Sequence, residues 1–93
     1  MMEKIRTTVR IAGKDYTMSG YDSEEYVRRV ALYVDRKIQE LSMATRLPAQ
    51  DAAVLTAVTV ADELLKTQDE NRRIRQELET MRARMEAAGV EEA

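Results

Sequence analysis

Residues 71–87 read NRRIRQELETMRARMEA, a mostly charged stretch that carries one regularly spaced apolar line. The members of this line, separated by steps of four, three and four residues, are Ile74, Leu78, Met81 and Met85. Such spacing places the four side chains on one side of an α-helix. Because the line is too narrow to support a core of its own, we expect a partner from elsewhere to cover it.

The same spacing continues towards the N-terminus. From Ala49 to Gly89 the chain has no glycine or proline, which predicts one helix of about 40 residues, roughly 60 Å long. The heptad pattern along this helix predicts a coiled-coil seam between identical chains. The residues of this seam are Ala53, Ala57, Val60, Leu64, Thr67, Asn71, Ile74, Leu78, Met81, Met85 and Ala88.

The first half of the predicted long helix is apolar almost all round, in AAVLTAVTVADELL at residues 52–65. A helix that is apolar on every side is buried on every side. We therefore expect a second stripe in this half to face the N-terminal part of the chain. The stripe consists of Val54, Val58, Ala61 and Leu65.

Charges beside the seam favour a parallel pair of chains. With Asn71 at an a position, Glu70 and Glu77 fall at g positions, and Arg75 and Arg82 fall at the following e positions. In a parallel pair, Glu70 would lie near Arg75 of a second copy, and Glu77 near Arg82 of that copy. Asn71 either pairs with its own copy across the seam or turns to solvent, and both alternatives remain open. The seam allows either a dimer or a four-chain assembly.

The N-terminal part of the chain is predicted to form a β-hairpin and a helix. Apolar and polar residues alternate along the first strand of the hairpin, residues 4–18, and Gly13 supplies turn chemistry. A helix is predicted over residues 23–44. An acceptor side chain at its N-cap and a glutamate three positions later, within residues 22–25, predict a capping box. Pro48 separates this helix from the long one.

Together these patterns predict an α+β fold, in which an N-terminal β-hairpin packs on a helix and a long C-terminal helix forms a coiled coil. Residues 1–47 are expected to form a globular head, and residues 48–93 the long helix and its tail. We expect the proximal half, 49–66, to pack in the head and the dimer core. The distal half, 67–88, forms the coiled coil, and 89–93 are expected to be a disordered tail.

Composition excludes several classes of function. The chain has no Cys, His, Trp or Phe and no glycine-rich phosphate loop, so we expect neither a metal site nor a cofactor, and no small-molecule substrate. Its carboxylates lie on predicted helix surfaces and not in a cleft, so we expect no enzyme activity. No apolar stretch is long enough for a signal peptide or a membrane span, which predicts a cytoplasmic protein without membrane insertion.

The charges are interspersed, 15 basic and 17 acidic residues with a net charge of -2. Such a chain has no broad positive field, so we expect no nucleic acid as a partner. Basic residues can form a patch only on the polar face of the first strand together with the capped helix. These residues are Lys4, Arg6, Arg10, Arg28, Arg29, Arg36 and Lys37. They leave an alternative function open, a nucleic-acid-associated coiled-coil adaptor.

Three segments, in this order, resemble the ZapA family of bacterial cell-division proteins. They are TTVRIAGKDYTMSG at 7–20, YVRRVALYVDRKIQEL at 26–41 and AVLTAVTVADELLK at 53–66, followed by a polar coiled-coil tail. The resemblance covers nearly the whole chain. No single motif is diagnostic, but the ordered set is fairly specific.

The resemblance implies a nonenzymatic, cytosolic dimer, which can associate further into a tetramer through its long helices. It also implies binding to the tubulin-like GTPase FtsZ, whose protofilaments the protein would cross-link into the Z-ring at the mid-cell division site. The short tail of this chain favours a dimer or a dimer-tetramer equilibrium. Family members contact the filament largely through charged residues of the head. Carried over by position, the candidate residues are Lys14, Arg46 and Asp51, with Arg28, Arg36 and Lys37 as further candidates.

Overall fold

The computed structural model describes residues 3–89, which form a β-hairpin followed by two helices. The elements are β1, Ile5–Ile11; β2, Lys14–Gly20; α1, Glu24–Thr45; and α2, Ala49–Ala87. The described residues form two compact units, an N-terminal unit up to Thr59 and a C-terminal unit from Val60. The α+β architecture predicted from the sequence, with its long second helix, is confirmed.

The hairpin closes through a two-residue loop. Its strands pair antiparallel up to Ile11 opposite Lys14, which leaves only Ala12 and Gly13 between them. Both loop residues have positive φ, 51° and 79°, as a type I′ turn requires, and this turn type suits the natural twist of paired strands. Strand β2 ends at Gly20, two residues beyond the predicted end of the hairpin.

Helix α1 starts with Ser23 as its N-cap. The Ser23 hydroxyl oxygen accepts a hydrogen bond from the backbone N–H of Tyr26 at 3.1 Å, which satisfies one of the four unpaired amides of a helix N-terminus. Because Tyr26 occupies the third helical position, where a capping box needs Glu or Gln, the predicted capping box was wrong. Glu24 and Glu25 in the first turn still interact favourably with the helix dipole.

The core of the N-terminal unit is small: α1 packs against β1, and the buried residues come from β1, α1 and the start of α2. Its buried residues are Thr7, Val9, Ala31, Ile38, Ala52 and Thr56. The hydroxyl of Thr56 donates to the carbonyl of Ala52 at 2.8 Å, so its burial leaves no donor unpaired. The hydroxyl of Thr7, by contrast, has no hydrogen-bond partner among residues 3–89.

Replacing Thr7 by valine is expected to raise the free energy of unfolding by about 1 kcal/mol, because it removes a buried polar atom that makes no hydrogen bond. Valine keeps the branched shape and the strand preference of threonine. Urea unfolding at equal protein concentrations measures the difference. Thr8→Val is the matched control, since Thr8 is exposed and its hydroxyl pairs with that of Thr17 at 3.1 Å. A Thr7→Val protein no more stable than wild type would contradict the expectation.

One sequence prediction about α2 was wrong. Val54 and Val58, which we expected to face the hairpin and α1, are 64% and 63% exposed, whereas Ala52 and Thr56 are buried. Two positions along a helix correspond to about 200° around its axis. The buried face of α2 in the N-terminal unit is therefore opposite the face that carries the two valines. The other residues of that stripe, Ala61 and Leu65, are exposed in the C-terminal unit.

Within the C-terminal unit the helix continues to Ala87. It ends in a turn in which the N–H of Gly89 donates to the carbonyl of Glu86 at 3.0 Å, and Gly89 has a φ of 73°. Of the tail that we predicted to be disordered, residues 90–93 lie outside the described part of the chain. The division of α2 into a head-packed half and a coiled-coil half stays a prediction.

Candidate functional site

An apolar stripe on the C-terminal unit is exposed in the single chain. Five large side chains of the predicted seam are between 41% and 60% exposed: Leu64, Ile74, Leu78, Met81 and Met85. Val60 is half-buried and Asn71 is exposed. Of the two seam positions in the N-terminal unit, Ala53 is half-buried and Ala57 is exposed.

The surroundings of this stripe are strongly charged. Ion pairs three and four residues apart tie neighbouring turns of α2 together, for example Lys66 with Asp62 at 2.9 Å and Arg72 with Asp69 at 3.5 Å. Contiguous exposed apolar surface with a polar rim marks an interaction site on a soluble protein. The stripe has the spacing of a coiled-coil seam, and a second helix with the same spacing would cover it.

Arg73 holds both glutamates that flank the stripe. Its Nε donates to Glu70 at 3.1 Å and its Nη1 to Glu77 at 2.7 Å, and Nη2 makes a further bond to Glu70. The hydrogen bond from Arg73 lowers the pKa of the Glu70 carboxyl below its ordinary value. Glu70 is therefore ionised at neutral pH, and this contact is lost only as the pH falls through that lowered pKa.

The hydrogen bonds of Arg73 to Glu70 and Glu77 compete with the charge pairs predicted between copies. Glu70 and Glu77 would have to share their oxygens between Arg73 of their own chain and the arginines of a second copy. Arg75 and Arg82, the predicted partners of these glutamates in a second copy, have no ion-pair partner among residues 3–89. The pairing between copies stays a prediction.

Three of the candidate partner-binding residues lie within three positions, along the chain, of residues that line one depression. This depression, of about 340 Å³, is lined by residues of the hairpin turn, of the second half of α1 and of the start of α2: Ala12, Gly13, Ile38, Gln39, Ser42, Met43 and Ala49. Lys14 follows the turn directly, Arg46 is the left-handed C-cap of α1 with a φ of 58°, and Asp51 lies in the first turn of α2. All three are exposed. We call this region the junction.

Asp35 fixes the hairpin turn to α1, and the sequence analysis missed it. One carboxylate oxygen accepts from the backbone N–H of Ala12 at 2.9 Å, and the other accepts from the side-chain amide of Gln39 at 3.0 Å. Hydrogen bonds to a charged acceptor are about twice as strong as those between neutral groups. Asp35 thereby sets the position of the turn that precedes Lys14.

The remaining candidates lie elsewhere on α1. Arg28 pairs with Glu24 at 3.5 Å. Arg36 and Lys37 lie at a shallow depression of about 410 Å³ that is also lined by Arg29, Leu32, Tyr33 and Glu40, and the Lys37 ammonium lies 5.7 Å from the centre of the Tyr33 ring. The six candidates therefore do not form a single cluster.

The described part of the chain has neither a cluster of metal-binding side chains nor a membrane-spanning helix. Among residues 3–89, no group of three or more Asp, Glu, His or Cys side chains could hold a metal ion. Within the same residues, no helix combines the length and the apolar character needed to cross a membrane.

Comparisons with known proteins agree on one family. The model of the family described as cell division protein ZapA matches residues 7–90. A cell division protein ZapA of Halalkalibacterium halodurans is 46% identical over 76 residues, which are 81% of this chain and 84% of that protein. That of Geobacillus kaustophilus is 45% identical over 76 residues, with the same shares covered.

A solved structure, described as a ZapA mutant dimer from Geobacillus stearothermophilus, superposes with a TM-score of 0.70 at 41% identity. The superposition covers 85% of this chain and 93% of that one. The hairpin, the two helices and the ordered motifs thus lead to one conclusion: the chain belongs to the ZapA family of cell division proteins.

Proposed function

We propose that the chain self-associates through the seam of α2 and, as a dimer or a dimer-tetramer equilibrium, binds FtsZ and cross-links its protofilaments. The observation that carries the proposal is the exposed apolar stripe of α2, which a single chain leaves in water. Family membership and the dimeric relative support it. The protein would act in the cytoplasm at the division site, as a binding protein and not as an enzyme.

Self-association explains how a small head could organise a polymer. Linking two binding modules turns the second binding event into an intramolecular one, so that avidity exceeds the affinity of either head. Each head can then bind weakly, which suits a polymer that is remodelled. The alternative, a nucleic-acid adaptor, has less support, since Arg10 on the basic strand face is paired with Asp15 at 3.4 Å.

Sedimentation with FtsZ assembled in GTP tests the function. The wild-type protein at micromolar concentration is expected to pellet with the filaments and to increase light scattering by bundling them. If the protein stays in the supernatant and the filaments remain single, the proposed function is wrong. Retention on duplex DNA that is lost with added salt would instead favour the adaptor.

Within this function, we propose that the junction contacts the filament through Lys14, Arg46 and Asp51, with Arg28, Arg36 and Lys37 as additional contacts. Arg46→Glu is expected to weaken co-sedimentation about tenfold without changing the oligomeric mass, because it reverses an exposed charge at the junction. Arg46→Lys, which keeps the charge, is the matched control and should bind like wild type. Equal binding by Arg46→Glu would remove Arg46 from the site.

A further inference from the structure

The N-terminal unit has an apolar groove that its own chain leaves open. Residues opposite each other in the hairpin point to the same face, so Met18 and Tyr16 share the face of Thr7 and Val9. Helix α1 packs over β1 and buries Thr7 and Val9. The β2 half of that face stays uncovered.

The groove lies between β2 and the first half of α1. It has a volume of about 200 Å³, and its lining consists of Met18, Ser19, Gly20, Asp22, Tyr26, Val27 and Val30. Tyr16, Met18, Tyr26 and Val30 are 43% to 48% exposed. A dry cavity of roughly 150 Å³ holds a benzene molecule, so this groove has room for branched aliphatic side chains. We call it the hairpin groove.

The same unit has an apolar face that needs a cover. Val54 and Val58 lie four residues apart and therefore on one side of α2, and each is more than 60% exposed. We call this pair the valine face. It is opposite Ala52 and Thr56, the residues of α2 that the unit buries. The side of α2 that is buried within the unit is therefore not the side that carries the valine face.

A second α2 helix alone would not cover it either. The seam positions Ala53 and Ala57 each precede a valine by one residue, so the valine face is about 100° around the helix from the seam. A helix that packs on the seam borders the valine face without burying it. Covering the valine face therefore requires an element other than the seam helix of the partner.

We propose that the valine face of one copy docks into the hairpin groove of a second copy, so that each head is completed by its partner. The inference rests on the proposed self-association and extends its interface from the seam into the head. A two-fold symmetric dimer makes every such contact twice. The two surfaces are both apolar and both exposed in the single chain. The valine face also borders the seam positions Ala53 and Ala57 on the same helix.

Disulfide cross-linking tests this docking, because the chain contains no cysteine. Met18→Cys and Val58→Cys chains with different affinity tags are unfolded together, refolded and oxidised. A mixed disulfide carrying both tags is expected to form at least tenfold faster than the one between Thr17→Cys and Val58→Cys. Thr17 is the matched control because it is next to Met18 on β2 but on the opposite face.

Two outcomes overturn the docking. One is a Met18→Cys and Val58→Cys mixture that cross-links no faster than the control. The other is Val58→Cys chains that cross-link faster with each other, since this would place a second α2 over the valine face. An Asn71→Cys chain reports on the seam separately. If it cross-links while the Met18 and Val58 pair does not, only the docking fails. If neither does, the parallel seam fails and the docking with it.

Discussion

The Ile74→Glu protein is expected to be monomeric at concentrations at which the wild type is a dimer. Ile74 is half-exposed in the single chain, so its replacement leaves the fold of the monomer intact. In an assembly the substitution removes a packed isoleucine from each chain and places two carboxylates in an apolar seam. We expect a loss of about 3 kcal/mol or more, which is a hundredfold or greater rise in the dissociation constant.

Sedimentation equilibrium measures this change, with circular dichroism to confirm that the helices remain. Gln76→Glu is the matched control, because it adds the same charge two residues away at an f position, on the side of the helix turned from the seam. It should associate like wild type. An Ile74→Glu protein that keeps the wild-type mass would show that the seam is not the interface.

The second large effect is expected at Asp35. Asp35→Ala removes the acceptor of the Ala12 N–H and leaves this part-buried amide of the hairpin turn unpaired. Loss of one partner of a charge-assisted hydrogen bond costs about 1–3 kcal/mol. The melting temperature should fall by about 4–8 °C per kcal/mol for a domain of this size.

Two variants separate the parts of this effect, measured by thermal unfolding at one protein concentration. Gln39→Ala removes only the bond between the Asp35 and Gln39 side chains, so its effect should be small. Asp35→Asn keeps a neutral acceptor for the turn and should restore part of the stability lost in Asp35→Ala. If the Asp35→Ala protein has the same melting temperature as the wild type, the carboxylate does not anchor the turn.

The hairpin and the helices could be predicted because their signals are local. Alternation along β1, the glycine at the turn and the proline before α2 each act on the residues beside them. The capping-box prediction, which also relied on neighbouring residues, was wrong for a local reason. Two adjacent residues, Asp22 and Ser23, can both cap a helix, and the choice of Ser23 placed Tyr26 at the position where the glutamate was needed.

Asp35 could not be recognised from the sequence, because its partner is a backbone amide 23 positions earlier in the chain. No spacing rule links an acidic residue inside a helix to a turn of a distant hairpin.

The assignment of Val54 and Val58 failed for a different reason. Periodicity shows which side chains of a helix share a face, but it does not show which element covers that face. The unit buries the small residues Ala52 and Thr56 and leaves the two valines in water. The apolar side chains of Val54 and Val58 had favoured the opposite arrangement, in which the valines are buried and Ala52 and Thr56 are exposed.

Two α2 helices that pack in parallel and in register are the basis of the proposed self-association, and oxidation of an Asn71→Cys chain tests this arrangement most directly. In that arrangement the two a-position side chains face each other across the seam, within reach of a disulfide bond. We predict that most of the protein migrates as a disulfide-linked dimer on a non-reducing gel, whereas Gln76→Cys stays largely monomeric. Equal cross-linking of the two variants, or none in either, would contradict the parallel seam.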